Sequence, residues 1–398
     1  MLTRTVLTRV VPFCLVLVFS MSSATASDSD AYRLDRNLAT TDVPGPVVPV
    51  IRTSELRVSS GTLSVEIDGG QYELETLTVE PPGPGPFPVA VISHGQSRKP
   101  RQILLRQHLP FAKDFARRGY KAVVFARRGY GSSTGPVFDR LGRERFAAGF
   151  YVGPGRTAAE DYAGVIEALA RRPEIDGTRV IAAGQSGGGF AVTALASEPP
   201  PGLIAVVNVS GGRGRPRDYV NHNEDGLVAA FAEFGTTARI PALWLYSVTD
   251  RFFWPALVER MFTAYADAGA PVRLDWTGPL WFSNDGHRLM SLGGRELWRP
   301  RISAFLKAIG APSWDQDPGD AAVVFVRPPE SLKRKGRWQW LRYLATAGHK
   351  AFAVGVDGKF SWSGAQESLD RAKGRALKRC NARGGPCRIV SVNGRDAS

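Results

Sequence analysis

Histidine and cysteine are scarce in this sequence, with five His and three Cys among 398 residues. Cys14 lies inside an apolar run near the start, so only Cys380 and Cys387 remain for the rest of the chain. Two thiols offer too few ligands for a metal site. Long apolar runs are also lacking. The stretch from Val10 to Phe19 is too short for a comfortable membrane span. The body of the chain has almost no charge excess, despite a total of +14. Residues 321–398 hold 16 Lys and Arg against 5 Asp and Glu, a net +11, and Arg4 and Arg9 add +2. Residues 27–320 are left with +1, so a nucleic-acid reading does not attach to them.

What is present points outward from the cell. Arg4 and Arg9 form a basic start, the short apolar run follows, and Ala24-Thr25-Ala26 fits a small-x-small cleavage rule. Residues 1–26 therefore read as a secretory signal, with a periplasmic or extracellular mature chain beginning near Ser27. In that setting Cys380 and Cys387, seven residues apart, are expected to form a disulfide. The length allows a large core and more than one domain. Residues 27–54 read as an extended, proline-rich leading segment, 55–310 as the main domain, 311–320 as a linker and 321–398 as a small basic domain.

Along the main domain, residues 55–68 and 71–80 alternate apolar with other side chains around Asp68-Gly69-Gly70, which predicts a β-hairpin. From residue 87 to 309, apolar strands alternate with helical stretches. The strands are read at 87–93, 120–126, 178–183, 203–209, 241–247 and 272–276. The helices are read at 108–118, 156–172 with Thr157 as cap, 224–235, 255–268 and 295–309. Connections of helical length imply parallel neighbours, hence an α/β fold with a mostly parallel sheet and helices on both faces. Residues 137–155 have no clean period and read as a flap.

Val180 to Ala183 form a short buried strand, and Gly187 to Ala196 are small or helix-compatible. Between them lies Gly184-Gln185-Ser186-Gly187-Gly188, a Gly-x-Ser-x-Gly pentapeptide that turns a strand sharply into a helix. Alone, it is equally compatible with a Gly-rich turn closing a strand–helix unit. With its context it proposes Ser186 as a nucleophile held at the apex of the turn. A serine hydroxyl needs an imidazole to take its proton. His94 follows the first buried strand, His108 opens a helix, His222 sits in a polar loop and His349 lies in the basic tail. His287 follows the last strand of the main domain with a glycine before it, which makes it the candidate base. Asp250, just after the strand at 241–247, is the candidate partner of its other ring nitrogen, against the alternatives Asp285, Asp275 and Asp225. Phe252, Phe253 and Trp254 are candidates for lining an acyl pocket, with core packing as the alternative.

The order of these features resembles the α/β-hydrolase superfamily, most nearly its serine-bearing, dienelactone-hydrolase-like branch, over about residues 60–310. Four matches carry the resemblance: His94-Gly95-Gln96 after one strand, Arg128-Gly129-Tyr130-Gly131-x-Ser133 after the next, the elbow at Ser186, then Asp250 and His287. The serine departs from strict dienelactone hydrolases, whose nucleophile is cysteine. The resemblance and the chain geometry together imply an oxyanion hole made by the backbone N–H groups of Gln96 and Gly187. Arg128 is expected to hold its turn by pairing with backbone or a carboxylate. The implied activity is an exported serine hydrolase cleaving carboxylic esters without a metal or other cofactor. A serine peptidase or amidase, and a non-catalytic envelope-binding protein on the same scaffold, are the alternatives.

In the tail, a hairpin containing Trp362, a basic helix over 363–379, the cysteine pair and a strand at 388–392 resemble a small family of uncharacterised secreted domains. A small disulfide-containing α+β domain is expected. Its clustered charge is suited to an anionic envelope polymer or a membrane surface, against a merely solvated basic face.

Overall fold

Strands covered on both faces are buried at every position, most of them as runs of apolar residues, though Val272–Thr277 alternates Arg273, Asp275 and Thr277 with apolar residues. Phe87–Ser93, Lys121–Phe125, Ala242–Ser247 and Val272–Thr277 are buried along their entire length. The computed structural model describes residues 33–38, 45–137, 149–214, 223–314 and 329–397, apart from 278, 279, 281, 282, 284, 291–293, 330, 334, 335, 337, 338, 341, 342, 344–348 and 394. The expected signal at 1–26, most of the expected flap, His222 and residues 315–320 of the expected linker lie outside the described residues.

The large sheet has nine strands: β1 (Arg33–Arg36), β2 (Arg57–Ile67), β3 (Gly70–Glu80), β4 (Phe87–Ser93), β5 (Lys121–Phe125), β6 (Ile175–Gln185), β7 (Leu203–Val209), β8 (Ala242–Ser247) and β9 (Val272–Thr277). Their spatial order is β1-β9-β8-β7-β6-β4-β5-β3-β2. Neighbours from β5 through β9 run parallel. The β2–β3 hairpin joins β5 antiparallel, and β1 closes the other edge antiparallel to β9. Asp68 and Gly69 both have positive φ, 50° and 71°, as a two-residue hairpin turn requires.

Helices cover both faces because side chains alternate along each strand. Val89 and Val91 pack in one cluster with α2 (Val152–Ala170), α3 (Gly187–Leu195), α4 (Glu224–Thr237) and α5 (Pro255–Asp267). Ala90 and Ile92 pack in the other with α1 (Leu109–Ala116) and α6 (Arg295–Ala308). Each fully buried Val or Ile contributes roughly 1.5–3 kcal/mol. The chain leaves β4 toward β5 on one side and returns to β6 on the other. Ligand sites of open α/β sheets form at such a switch point, beyond the carboxyl ends of the strands.

Several segments differ from the sequence reading, among them the tail helix expected over 363–379, which runs Leu369–Asn381 because Ser363–Gln366 continue the preceding strand. The leading segment supplies strand β1, whose Asp35 pairs with Arg273 of β9 at 2.8 Å. Helix α2 begins at Val152, ahead of the expected 156, so Thr157 lies inside it and not at its cap.

A second, four-stranded antiparallel sheet has the order β11-β10-β12-β13. Its strands are β10 (His349–Gly355), β11 (Phe360–Gln366), β12 (Cys387–Val392) and β13 (Arg395–Asp396). Helix α7 (Leu369–Asn381) packs Ala372, Ala376 and Cys380 against Ala351 and Ala353 on one face. Leu332, Trp340 and Tyr343 pack against Phe352, Val354 and Val390 on the other. A Cys380–Cys387 disulfide ties the end of α7 to β12.

Candidate active site

The turn from β6 into α3 sets Ser186 at φ 53° and ψ −119°. That is a costly backbone for a residue with a Cβ, of order 1–3 kcal/mol, and it persists only where the surroundings fix it. Here they do. The Ser186 N–H donates to the Val209 carbonyl at 3.0 Å, and its carbonyl accepts from Phe190 and Gly212 at 2.9 and 3.1 Å. The flanking glycines permit the close approach. A Cβ on Gly184 would lie 2.2 Å from the Gly188 carbonyl oxygen, and one on Gly188 would lie 2.7 Å from that of His94.

Strand β4 ends beside this turn. A Cβ built on Gly95 would meet the Ser186 Cβ at 2.9 Å, and one on Gly187 would stand 3.1 Å from the Gln96 nitrogen. The backbones carrying the Gln96 and Gly187 N–H groups are thus adjacent. His94 is buried and structural: its Nε2 accepts the Arg127 N–H at 3.2 Å, and its ring rests 4.6 Å from that of Tyr130.

Beyond β8, Asp250 is fully buried. Its Oδ1 accepts the N–H groups of Phe252 and Phe253 at 2.8 and 3.0 Å, and its Oδ2 lies 3.1 Å from Nδ1 of His287. An ionised carboxylate only accepts, so Nδ1 carries the proton and Nε2 is left as an acceptor. Burial works against charging this imidazole. The Asp250 carboxylate and its hydrogen bond, aided by Asp285, outweigh it and raise the pKa above its ordinary value. Asp285 serves the backbone instead of the ring, accepting the His287 N–H at 3.1 Å. Asp225 pairs with Arg260 at the surface, and Asp275 is buried in β9.

The His287 loop is anchored to the elbow itself. Gln185, the residue before Ser186, donates from Nε2 to the His287 carbonyl at 2.8 Å. Nothing in the sequence marked Gln185, because the middle positions of the pentapeptide are free in type. Phe252 stacks on the imidazole at 4.3 Å and 21°, and is 38% exposed. Phe253 is buried 5.6 Å from the same ring, and Trp254 packs against the core and caps α5. Arg128 is held by Asp161 and Glu160, so its role is to fix the turn after β5.

The sheet order, its switch point and this elbow together have the architecture of one superfamily, and the Peptidase S15 family model (X-Pro dipeptidyl-peptidase) matches residues 68–245. The chain has the α/β-hydrolase fold. The family match takes in Ser186 and ends before Asp250 and His287. With its elbow serine, this α/β-hydrolase has the make-up of a serine hydrolase, esterase or peptidase.

An esterase of Pyrococcus furiosus is 15% identical, covering 67% of this chain and 98% of its own, with a TM-score of 0.46. A puromycin-hydrolyzing peptidase of Mycobacterium tuberculosis is 16% identical, covering 65% of this chain and 41% of its own, with a TM-score of 0.46. Dipeptidyl peptidase 4 of Porphyromonas gingivalis is 15% identical, covering 63% and 35%, with a TM-score of 0.45. No curated protein matches the sequence.

Proposed function

We propose that this chain is an exported serine hydrolase that cleaves carboxylic esters through a Ser186–His287–Asp250 triad and an acyl-enzyme. The observation that carries the reading is the double anchoring of His287. Its ring faces the buried Asp250 carboxylate, and its backbone is bonded to the residue next to the strained Ser186.

In this reading Nε2 of His287 takes the Ser186 proton as Oγ attacks the ester carbonyl carbon. The carbonyl π electrons move to oxygen, where the N–H groups of Gly187 and Gln96 receive the charge. Collapse expels the alcohol, which leaves with the proton from Nε2. Water then enters by the same route and releases the acid and free Ser186. Asp250 stays ionised throughout and stabilises the imidazolium. Export is supported by the basic start and apolar run of residues 1–26 and by the Cys380–Cys387 disulfide.

A peptidase or amidase is the second reading, favoured by the family match over residues 68–245. Two measurements test these proposals. A fluorophosphonate probe should label wild type and not Ser186→Ala; labelling of both would remove the serine assignment. A panel of acyl esters should be turned over faster than dipeptide amides; the reverse order would make the enzyme a peptidase.

A further inference from the structure

The small sheet leaves one long edge open. β11 pairs only with β10, and its other side has no strand partner among the described residues. The two covering layers rise on either side of that edge, α7 above one face and Leu332, Trp340 and Tyr343 above the other. The result is a trough of about 1110 Å³ with β11 as its floor. Arg375, Arg379 and Arg383 line one wall, and Lys333 and Gln339 line the other.

The chemistry of this trough is one-sided. The Gly355 N–H donates to the Lys359 carbonyl at 2.8 Å, so Lys359 belongs to the ladder. Alternation turns the backbone groups of Phe360 and Trp362 outward, and beyond Ser363 the β10–β11 register shifts at Gly364 and Ala365. Two carbonyls of the strand are taken by side chains, Phe360 by Arg383 and Gly364 by Gln366, each at 2.7 Å. The N–H groups of Phe360 and Trp362 have no acceptor among the described residues. The outward Trp362 carbonyl and the Asp357 carboxylate, which is paired with Lys359, are acceptors of the trough, and the two N–H groups, the arginines and Lys333 make donors the majority.

The three arginines add charge to those donors. All are exposed, and none is paired with a carboxylate among the described residues. Arg375 and Arg379 stand about 6 Å apart along the helix, four residues at 1.5 Å each. Phe360 and Trp362 are half-buried and leave part of their ring surface in the trough between the cations.

We infer that the trough along β11 is a binding site for a linear anionic polysaccharide. The ligand must be rich in acceptors, since most of the free polar groups of the trough donate. An added peptide strand has to donate as well as accept, and the capped carbonyls of Phe360 and Gly364 refuse it. The ligand must carry spaced negative charge to meet the arginine row. Ring C–H faces suit the exposed parts of Phe360 and Trp362, which a bare polyphosphate would leave unmatched. A concave slot with its charge inside also differs from the flat cationic face that adsorbs on a lipid surface.

The experiment uses the full chain and polygalacturonate, a glycan with one carboxylate per sugar. Dextran, vesicles of phosphatidylglycerol and phosphatidylcholine in equal parts, and single-stranded DNA serve as comparison ligands. Wild type should bind polygalacturonate at low ionic strength, weaken as salt is added, and ignore dextran. The trough variant R375Q/R379Q/R383Q should lose about tenfold or more in affinity. A charge-matched variant outside the trough, R371Q/K373Q/K378Q, should lose less than about threefold. Lys333→Gln, on the opposite wall, provides a second reading of the trough that leaves α7 untouched, and should also weaken binding. Chemical denaturation of the small-sheet region, followed at Trp362, reports that this region is folded in all variants. Equal losses from the two triple variants, tighter binding of vesicles or DNA than of polygalacturonate, or no binding of polygalacturonate would each overturn the inference.

Discussion

The two sheets of this chain solve opposite problems. The nine-stranded sheet buries its central strands on both faces and brings its candidate site together where β4, β6, β8 and β9 end. The proposed chemistry there rests on the backbone geometry at Ser186 and on one buried carboxylate. The four-stranded sheet keeps an edge open and places cations along it. One region specifies by strain and burial, the other by exposed charge. Perturbing one should therefore leave the other's readout intact.

The deepest test of that separation is Ser186→Ala. It should lower kcat by about 10⁶-fold, in line with loss of a triad nucleophile elsewhere, and leave polygalacturonate affinity unchanged. A change in both readouts would join the two regions. Asp250→Asn comes next, with an expected loss of about 10⁴-fold if the carboxylate fixes the imidazole tautomer. The pH profile sharpens it. The base works when neutral, and His287 is raised above its ordinary value, so the acid limb of kcat/KM should lie above that of a free imidazole in the wild type. With Asp250 neutralised, burial dominates and the limb should shift to lower pH.

Gly95→Ala should cost about 10²-fold, because the added methyl meets Ser186 and pushes apart the backbones proposed to receive the oxyanion. Steady-state turnover of an activated ester measures it. The smallest expected effect on turnover comes from the other sheet. Replacing Cys380 and Cys387 by serine opens an eight-residue loop and should reduce the stability of that region by about 2.5 kcal/mol. Ester hydrolysis should not change, and chemical denaturation with a probe on Trp362 should report the loss.

Much of the large sheet was legible because its signals are local. Buried strands appear as apolar runs, and the elbow needs glycine on both sides of one serine. The scarcity of histidine then left His287 as the ring best placed after a strand. What stayed hidden depended on distant neighbours. Helix α2 begins with Val152-Gly153-Pro154-Gly155, which reads as a loop. Gly155 is there for contact, since a Cβ on it would lie 2.7 Å from Phe234 and 2.8 Å from Phe190. Strand β1 is short and charged, and exists because the edge of β9 pairs its backbone. Gln185 reaches across 102 positions to a carbonyl, which no local pattern encodes. The trough beside β11 is equally non-local: its cations are plain in the sequence, and its concavity arises only when two layers flank an open edge.

The bond from Gln185 to His287 bears on how the enzyme behaves when warmed. The imidazole loop is attached at one end to strand β9, near the margin of the sheet, yet it is also moored to the central strand that carries the alcohol. Fraying of that margin would then slacken the loop's outer end before it parts the two groups proposed to react. Activity should persist through early loosening of β1 and β9 and fail only when the middle of the sheet gives way, and Gln185→Ala should bring that failure to a lower temperature.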